Sequence, residues 1–176
     1  MAPSSPAGAP ELVAPTTRLR AAWLAARDEW GPGPHEDGFG LLPTDDVDSP
    51  DGFAAWVARL AAEADPARRR CRYRWVVQDG RVLGGIAVRR EPADLVRRLG
   101  HVGYGVRPSA RGRGVATRAL GLALGEAREL GLDRVLVVCE DGNTASMRTI
   151  ERNGGVLEDV RDIGLGVVRR YWIDLG

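Results

Sequence analysis

The segment that most constrains the fold is residues 105–116, which read GVRPSARGRGVA and are followed at once by a helix-like stretch. A strand, a glycine-rich turn and a helix in this order place backbone N–H groups at a helix N-terminus, where anions bind. Gly112 and Gly114 let the backbone curl and approach a ligand closely. Arg111 and Arg113 add positive charge. The segment predicts a phosphate or pyrophosphate site, and an ordinary glycine-containing turn before a helix is the alternative.

Composition limits the classes of protein that need to be considered. The chain has 176 residues, 44% of them hydrophobic, which fits one domain over residues 11–176. Residues 1–10 are rich in Ala, Pro and Ser and predict a disordered tail without the features of a secretory signal. No apolar run approaches the ~20 residues of a membrane span. We therefore expect a cytoplasmic protein without a membrane partner.

Charge and cysteine content exclude further classes. The net charge of +1 argues against a nucleic-acid partner, because non-specific binding depends on many phosphate contacts. Cys71 and Cys139 are the two cysteines, and neither lies in a metal-binding spacing. We expect no metal site, and we expect Cys139 to be a small buried residue in a strand.

Periodicity and turn signals predict the element order β-α-α-β-β-β-α-β-α-β-β. The predicted strands are 12–14, 73–78, 81–90, 101–106, 132–139, 156–160 and 167–175, and the predicted helices are 16–30, 52–64, 114–130 and 144–153. Gly131 is expected to end the third helix, and residues 31–50 read as a long loop. The mixed order indicates an α/β protein of the α+β type, with a mixed sheet and helices on both faces.

The glycine-rich turn resembles motif A of the GNAT N-acetyltransferase superfamily, Arg/Gln-x-x-Gly-x-Gly/Ala, with Arg111, Gly114 and Ala116 at the defining positions. It matches neither a Walker loop nor the dinucleotide-binding Gly-x-Gly-x-x-Gly. Residues 150–155 resemble the end of the family's last helix. Residues 100–108 resemble one bacterial branch known only as predicted acetyltransferases. The resemblance implies the GNAT acyl-CoA N-acyltransferase fold, a mostly antiparallel sheet with one splayed parallel strand pair.

The resemblance also implies acetyl-CoA as co-substrate and indicates the residues that hold it. Backbone amides of the turn would bind the pyrophosphate, and these belong to Arg111, Gly112, Arg113, Gly114, Val115 and Ala116. The strand that ends at Val106 would pair with the pantetheine arm. Asn143 would bond the pantetheine or phosphate region, and a helix cap is its alternative role.

The catalytic acid differs from the one that is usual in the family. Many GNAT enzymes carry a tyrosine on the short helix to protonate the departing thiolate, and Ile150 occupies that position here. Ser146 resembles the serine of ribosomal-protein N-terminal acetyltransferases and is the candidate acid. A helix-packing serine is the alternative.

His101, at the start of a strand, is the candidate general base, because histidine titrates near neutral pH. A structural histidine bonded to a loop carbonyl is the alternative. Glu91 and Glu158 are lesser candidates, His35 lies in the long loop, and water is a further base relay.

The overall prediction is an N-acetyltransferase that acts on a primary amine of an unidentified acceptor, and a non-catalytic acyl-CoA-binding module is the alternative. The long loop carries Asp45, Asp46 and Asp48, which would suit a cationic acceptor if they are not simply solvated. Trp172 on a closing strand would serve a homodimer contact, or else lie in the core.

Overall fold

A computed structural model describes residues 8–31, 38–65, 67, 70–90, 92–164 and 166–176. The candidates His35 and Glu91 lie outside the described residues. The part of the predicted tail that is described lies against the domain: Gln78 donates to the Gly8 carbonyl at 2.7 Å, and Arg118 donates to the Pro10 carbonyl at 2.6 Å.

Seven strands and five α-helices make up the described chain, and they follow the predicted order with one added helix. The strands are β1 (Glu11–Val13), β2 (Cys71–Gln78), β3 (Arg81–Arg89), β4 (Val102–Val106), β5 (Arg134–Glu140), β6 (Val156–Asp162) and β7 (Val167–Asp174). The helices are α1 (Arg20–Trp30), α2 (Pro50–Glu63), α3 (Ala93–Leu99), α4 (Val115–Glu129) and α5 (Thr144–Arg152). None of the described helices is both long and apolar enough to cross a bilayer.

Local signals account for most of these boundaries. Ser49 caps α2 by accepting a hydrogen bond from the Gly52 N–H at 3.0 Å. Asp79 and Gly80 both have positive φ, as the two-residue turn of a β-hairpin requires. Gly131 follows α4 with φ of 79°, and its N–H donates to a carbonyl of the last turn. The predicted end of that helix is therefore confirmed.

The added helix, α3, was not predicted from the sequence. Its seven residues are too few to show a helical period, and Pro92 before them indicated a turn. Asp94 in its first turn and Arg97 and Arg98 in its last turn complement the helix dipole. Gly100, with φ of 85°, ends it directly before β4.

The strands form one sheet in the order β1-β2-β3-β4-β5-β7-β6, in which only β4 and β5 are parallel. All other neighbouring strands are antiparallel. The predicted mixed sheet, mostly antiparallel with one parallel pair, is confirmed. The centre of β5 is fully buried, as its apolar sequence predicted.

Each face of the sheet has its own hydrophobic core. On one face α1 and α2 pack an aromatic cluster in which Trp23, Phe53, Trp56 and Trp75 have ring centroids 4.7–6.1 Å apart. Edge-on and offset ring pairs of this kind add to the hydrophobic stabilisation of a core. On the other face α4 and α5 pack against the sheet through aliphatic residues. Helices therefore cover both faces, as predicted.

The parallel strands separate soon after they meet. Val102 pairs with Val137, and just before it the His101 N–H donates to the Leu136 carbonyl at 2.7 Å. Beyond Val102, no residue of β4 pairs with β5, although both strands are described throughout. β5 remains paired with β7 along its whole length. The sheet therefore opens into a V between β4 and β5, which is the predicted splay.

Candidate active site

A cleft of about 890 Å³ occupies the V between the two strands. It is lined by β4, the turn after it, the first turn of α4, the end of β5 and one face of α5. Eight of the ten residues predicted for the site line this cleft, namely Val106, Arg111, Gly112, Gly114, Val115, Ala116, Asn143 and Ser146. The ninth, Arg113, is exposed on the turn between the two glycines, and the tenth, His101, lies elsewhere.

The free edge of β4 supplies one wall. In an antiparallel pair alternate residues direct both backbone polar groups to the partner strand. The Arg107 N–H donates to the Leu83 carbonyl of β3 at 2.8 Å, so Tyr104 and Val106 direct their N–H and C=O groups away from β3. That direction is the open V. An extended, amide-containing ligand can therefore add to β4 in the manner of a strand.

The turn after β4 forms an anion cradle. Gly112 and Gly114 have φ of 71° and 74°, and a Cβ built on either would meet nothing within 4 Å. The first bond inside α4 runs from the Arg118 N–H to the Gly114 carbonyl. The N–H groups of residues 115–117 therefore have no partner within the helix, and they open on the cleft. This arrangement fits a pyrophosphate group.

The cradle is fixed to α1 through one carboxylate. Glu29 accepts hydrogen bonds from the backbone and side chain of Ser109, and it forms an ion pair with the buried Arg107. The Ser109 N–H and then the Arg107 guanidinium lower the pKa of Glu29 to about 2. Arg111 folds back so that its Nε donates to the Val106 carbonyl at 2.9 Å. The turn is thereby held at both ends.

Helix α5 forms the opposite wall. The Asn143 side chain caps the helix, since its Oδ1 accepts the Ser146 N–H at 3.1 Å. The predicted cap role is therefore present, and the amide NH₂ of Asn143 remains a donor beside the cleft. The cap also fixes Ser146 in the first helical turn, where its hydroxyl faces β4.

A pair of hydroxyls bridges the V. The Tyr104 hydroxyl on β4 and the Ser146 Oγ on α5 are 2.7 Å apart. Burial raises the pKa of Tyr104 to about 12, against the opposing effect of the Ser146 and Thr149 hydroxyls. Burial also raises the pKa of the Cys139 thiol, which lies beside Ser146. Neutral hydrogen-bonding groups therefore line the cleft between β4 and α5.

Tyr104 was not predicted as a site residue from the sequence. Ile150 stands at the position where many GNAT enzymes carry the catalytic tyrosine. Ile150 is fully buried in the aliphatic core, so a side chain at that position points away from the cleft. The signal for Tyr104 was present in the alternation Val102-x-Tyr104-x-Val106, which places one polar group on an apolar strand face.

His101 lies outside the cleft and lines a separate shallow cavity together with Trp172. Its Nδ1 accepts the Leu136 N–H of β5 at 2.8 Å, so the ring makes a structural bond, although to a strand N–H and not to a loop carbonyl. Burial, with a contribution from Arg134, lowers the pKa of His101. The Arg134 guanidinium also covers the ring of the half-buried Trp172, at 4.1 Å from the centroid.

The other acidic candidates are engaged in structural bonds. Glu158 accepts from Arg170 at 3.0 Å and does not line the cleft. Asp45 pairs with Arg59 at 2.6 Å. Asp46 accepts the N–H of Ser49 at 3.2 Å, and Asp48 pairs with Arg27 at 2.8 Å. The loop aspartates therefore stabilise the start of α2 and its loop.

The cleft carries excess positive charge. Arg98, Arg111, Arg148 and Arg152 line it, whereas Glu140 is the one acidic residue among its described lining residues. Such a charge distribution attracts a polyanionic ligand. A strand edge, a phosphate cradle and a basic wall together fit the amide and phosphate groups of an acyl-coenzyme A.

Comparisons with known proteins agree with this geometry. A sequence model described as "Acetyltransferase (GNAT) domain" matches residues 21–156. No curated protein matches the chain in sequence.

Solved structures share the fold at low identity. Mycobacterium smegmatis RimJ, solved with a CoA disulfide, is 21% identical, with TM-score 0.69 over 96% of this chain and 86% of that one. RimL, a ribosomal alpha-N-protein acetyltransferase solved with coenzyme A, is 18% identical, with TM-score 0.70 over 94% of each chain. MccE, a microcin C7 self-immunity acetyltransferase solved with acetyl-CoA and AMP, is 15% identical, with TM-score 0.66 over 93% of this chain and 91% of that one. The family match covers more than half of the chain and agrees with the splayed sheet and glycine cradle, so this protein belongs to the GNAT acetyltransferase family.

Proposed function

We propose that this protein transfers the acetyl group of acetyl-CoA to a primary amine by direct transfer, within one catalytic domain over residues 11–176. The observation that carries the proposal is the continuous path from the glycine cradle, along the free edge of β4, to the hydroxyl pair at Ser146. Each segment suits one part of the co-substrate: phosphates, pantetheine amides and thioester.

Binding is assigned to backbone groups. The N–H groups of residues 112–117 hold the pyrophosphate, and the N–H groups of Tyr104 and Val106, with the Tyr104 carbonyl, pair with the pantetheine arm. The exposed Arg113 adds charge at the mouth. RimL, RimJ and MccE, which have the same fold, were solved with coenzyme A, a CoA disulfide or acetyl-CoA, which supports this assignment.

The chemistry requires one attack and two proton transfers. The neutral amine attacks the thioester carbonyl, and a β4 N–H stabilises the developing oxyanion. The C–S bond then breaks, the new amide bond remains, and the departing thiolate takes the Ser146 hydroxyl proton while the Ser146 oxygen takes a proton from solvent, so that the serine ends the step neutral. The proton lost by the amine passes to solvent or to Glu140, the acidic side chain among the described lining residues. His101 is not assigned this role because it lies outside the cleft.

Calorimetric titration with acetyl-CoA tests the binding step. Gly114→Glu should abolish binding, since the new carboxylate would occupy the cradle and repel the pyrophosphate. Gly131→Glu is the matched control: it has a similar φ, 79° against 74°, and equally open surroundings, but lies at the other end of α4. Micromolar binding lost only in Gly114→Glu supports the proposal, and equal affinities in all three proteins contradict it.

Turnover is then measured as free thiol released in the presence of amine panels comprising small amines, aminoglycosides, amino acids, peptide N-termini and lysine peptides. Ser146→Ala should lower kcat much more than it raises KM, because its hydroxyl is needed only as the thiolate leaves. A variant with unchanged kcat would remove Ser146 from the mechanism. Binding without turnover on any amine would favour the non-catalytic module.

A further inference from the structure

Tyr104 is a group to which the family resemblance gave no role, and its position is unusual for a tyrosine. The chain has three tyrosines, and Tyr104 is the one that lines the cleft. Tyr73 donates to Glu63 at 2.8 Å on the α2 side, and Tyr171 lies in the aliphatic core near Glu151. Among the three tyrosines, only Tyr104 therefore presents its phenol to the cleft.

The hydrogen bond between Tyr104 and Ser146 has a preferred direction. A phenol is a far stronger acid than an aliphatic hydroxyl, so the phenol is the better donor and Ser146 Oγ the better acceptor. Thr149, one turn further along α5, lies beside the phenol oxygen on the same helix face. Its hydroxyl can donate to that oxygen, which leaves the phenol proton for Ser146.

This direction determines where the Ser146 proton points. A serine hydroxyl rotates freely unless its oxygen accepts a hydrogen bond. When the oxygen accepts one, the hydroxyl proton points away from that donor. With the oxygen accepting from Tyr104, the Ser146 proton is directed to the cleft or to the Cys139 sulfur beside it. Because burial holds the phenol pKa at about 12, Tyr104 remains a donor throughout the physiological pH range.

We propose that Tyr104 is a positioning residue that acts through Ser146: it donates to the Ser146 oxygen, orients the Ser146 proton toward the departing sulfur and strengthens that proton as a donor. Many GNAT enzymes use a tyrosine on this helix to protonate the thiolate, but Ile150 occupies that position here. Tyr104, on a strand, assists the same proton transfer through Ser146. The inference rests on the proposed function, since it concerns the sulfur of the bound co-substrate.

The test compares coenzyme A with desulfo-coenzyme A, which lacks the sulfur, by calorimetry below and above the ordinary thiol pKa of about 8.5. The ratio of the two affinities isolates the contribution of the sulfur, because the phosphate and pantetheine contacts are common to both ligands. A hydrogen bond to an ionised group should favour coenzyme A by about tenfold or more once the thiol is ionised. The wild-type ratio should therefore rise with pH.

Four variants give the expected pattern. Above the thiol pKa, Ser146→Ala should lower the ratio by about tenfold, and Tyr104→Phe should lower it by roughly threefold or more. The double variant should match Ser146→Ala, because Tyr104 acts only through the serine. Tyr73→Phe, which removes another half-buried phenol outside the cleft, should leave the ratio at the wild-type value.

The outcomes separate this inference from the proposed function. An unchanged ratio in Tyr104→Phe overturns the inference, and so does a Tyr104→Phe loss that persists in the Ser146→Ala background. A fall in the affinity for both ligands alike would show that Tyr104 serves only packing, which also overturns it. If the wild type binds neither ligand, the proposed function fails with it. Thermal denaturation of each variant checks that the fold is retained.

Discussion

Protonation of His101 should weaken the protein at the point where β4 leaves β5. In the neutral imidazole, Nδ1 accepts the Leu136 N–H at 2.8 Å, beside the backbone bond from the His101 N–H to the Leu136 carbonyl. A protonated ring has no acceptor, so the Leu136 N–H would face another donor. Burial, together with the positive charge of Arg134, lowers the pKa of His101 and keeps the ring neutral.

The sign and size of the effect follow from these contacts. The pKa of His101 in the folded protein lies below the ordinary value of about 6.5, so the unfolded chain binds more protons as pH falls through that value. The contribution to the free energy of unfolding is therefore complete above the unfolded pKa and is lost as pH falls through the folded one. A buried donor left without its acceptor costs about 1–3 kcal/mol, and the half-buried ring places the expected loss near ~1 kcal/mol.

Urea denaturation of the wild type and His101→Asn, compared between about pH 7.5 and about pH 5, measures this loss. The asparagine Oδ1 can accept from Leu136 in place of Nδ1 and does not titrate. All other ionisable groups are common to both proteins, so the difference between the two pH dependences isolates the imidazole. The wild type should lose about 1 kcal/mol more than the variant. Parallel curves would refute the reasoning.

Four further substitutions probe the cradle, the core and the tie to α1. Gly114→Ala and Gly131→Ala place alanine at similar positive φ and should each lower the free energy of unfolding by about 1–2 kcal/mol. Calorimetry should show weaker acetyl-CoA binding only for the first, and equal weakening would contradict a cradle at Gly114. Ile150→Ala should lower the free energy of unfolding by about 2–5 kcal/mol in chemical denaturation, since the side chain is fully buried, and a loss below ~1 kcal/mol would show that its core site collapses. Glu29→Gln should weaken acetyl-CoA binding in calorimetry, because the bonds to Ser109 hold the turn. The pKa of Glu29, about 2, keeps the wild-type tie intact until strongly acidic pH, and an unchanged affinity in the variant would separate the tie from binding.

The parts of the fold and site that could be read from the sequence depend on local signals. Gly112 and Gly114 indicate a backbone of positive φ whatever the tertiary contacts of the turn are. Asn143 directly before a helical stretch indicates a helix cap. The parallel strand pair and its splay came from the family resemblance and are confirmed by the sheet topology. Local preference and overall topology agree at these positions.

The contacts that could not be predicted from the sequence join residues that are far apart along the chain. Tyr104 and Ser146 are 42 positions apart, and their contact depends on which face of β4 meets α5. His101 was placed at the site because it begins the right strand, but its side chain lines a separate cavity with Trp172. A shift by one residue moves every side chain of a strand to the opposite face, so such contacts require the tertiary register.

The two separate cores have a consequence for how this protein tolerates change. The aromatic cluster around Trp56 and the aliphatic core around Leu120 lie on opposite faces of the sheet and share no residue. Stability effects at distant, independent sites add, whereas effects within one cluster couple. Mutational libraries directed at the buried residues of the aromatic cluster can therefore be searched separately from the aliphatic core, provided that Glu29 of α1, which holds the cradle, is kept.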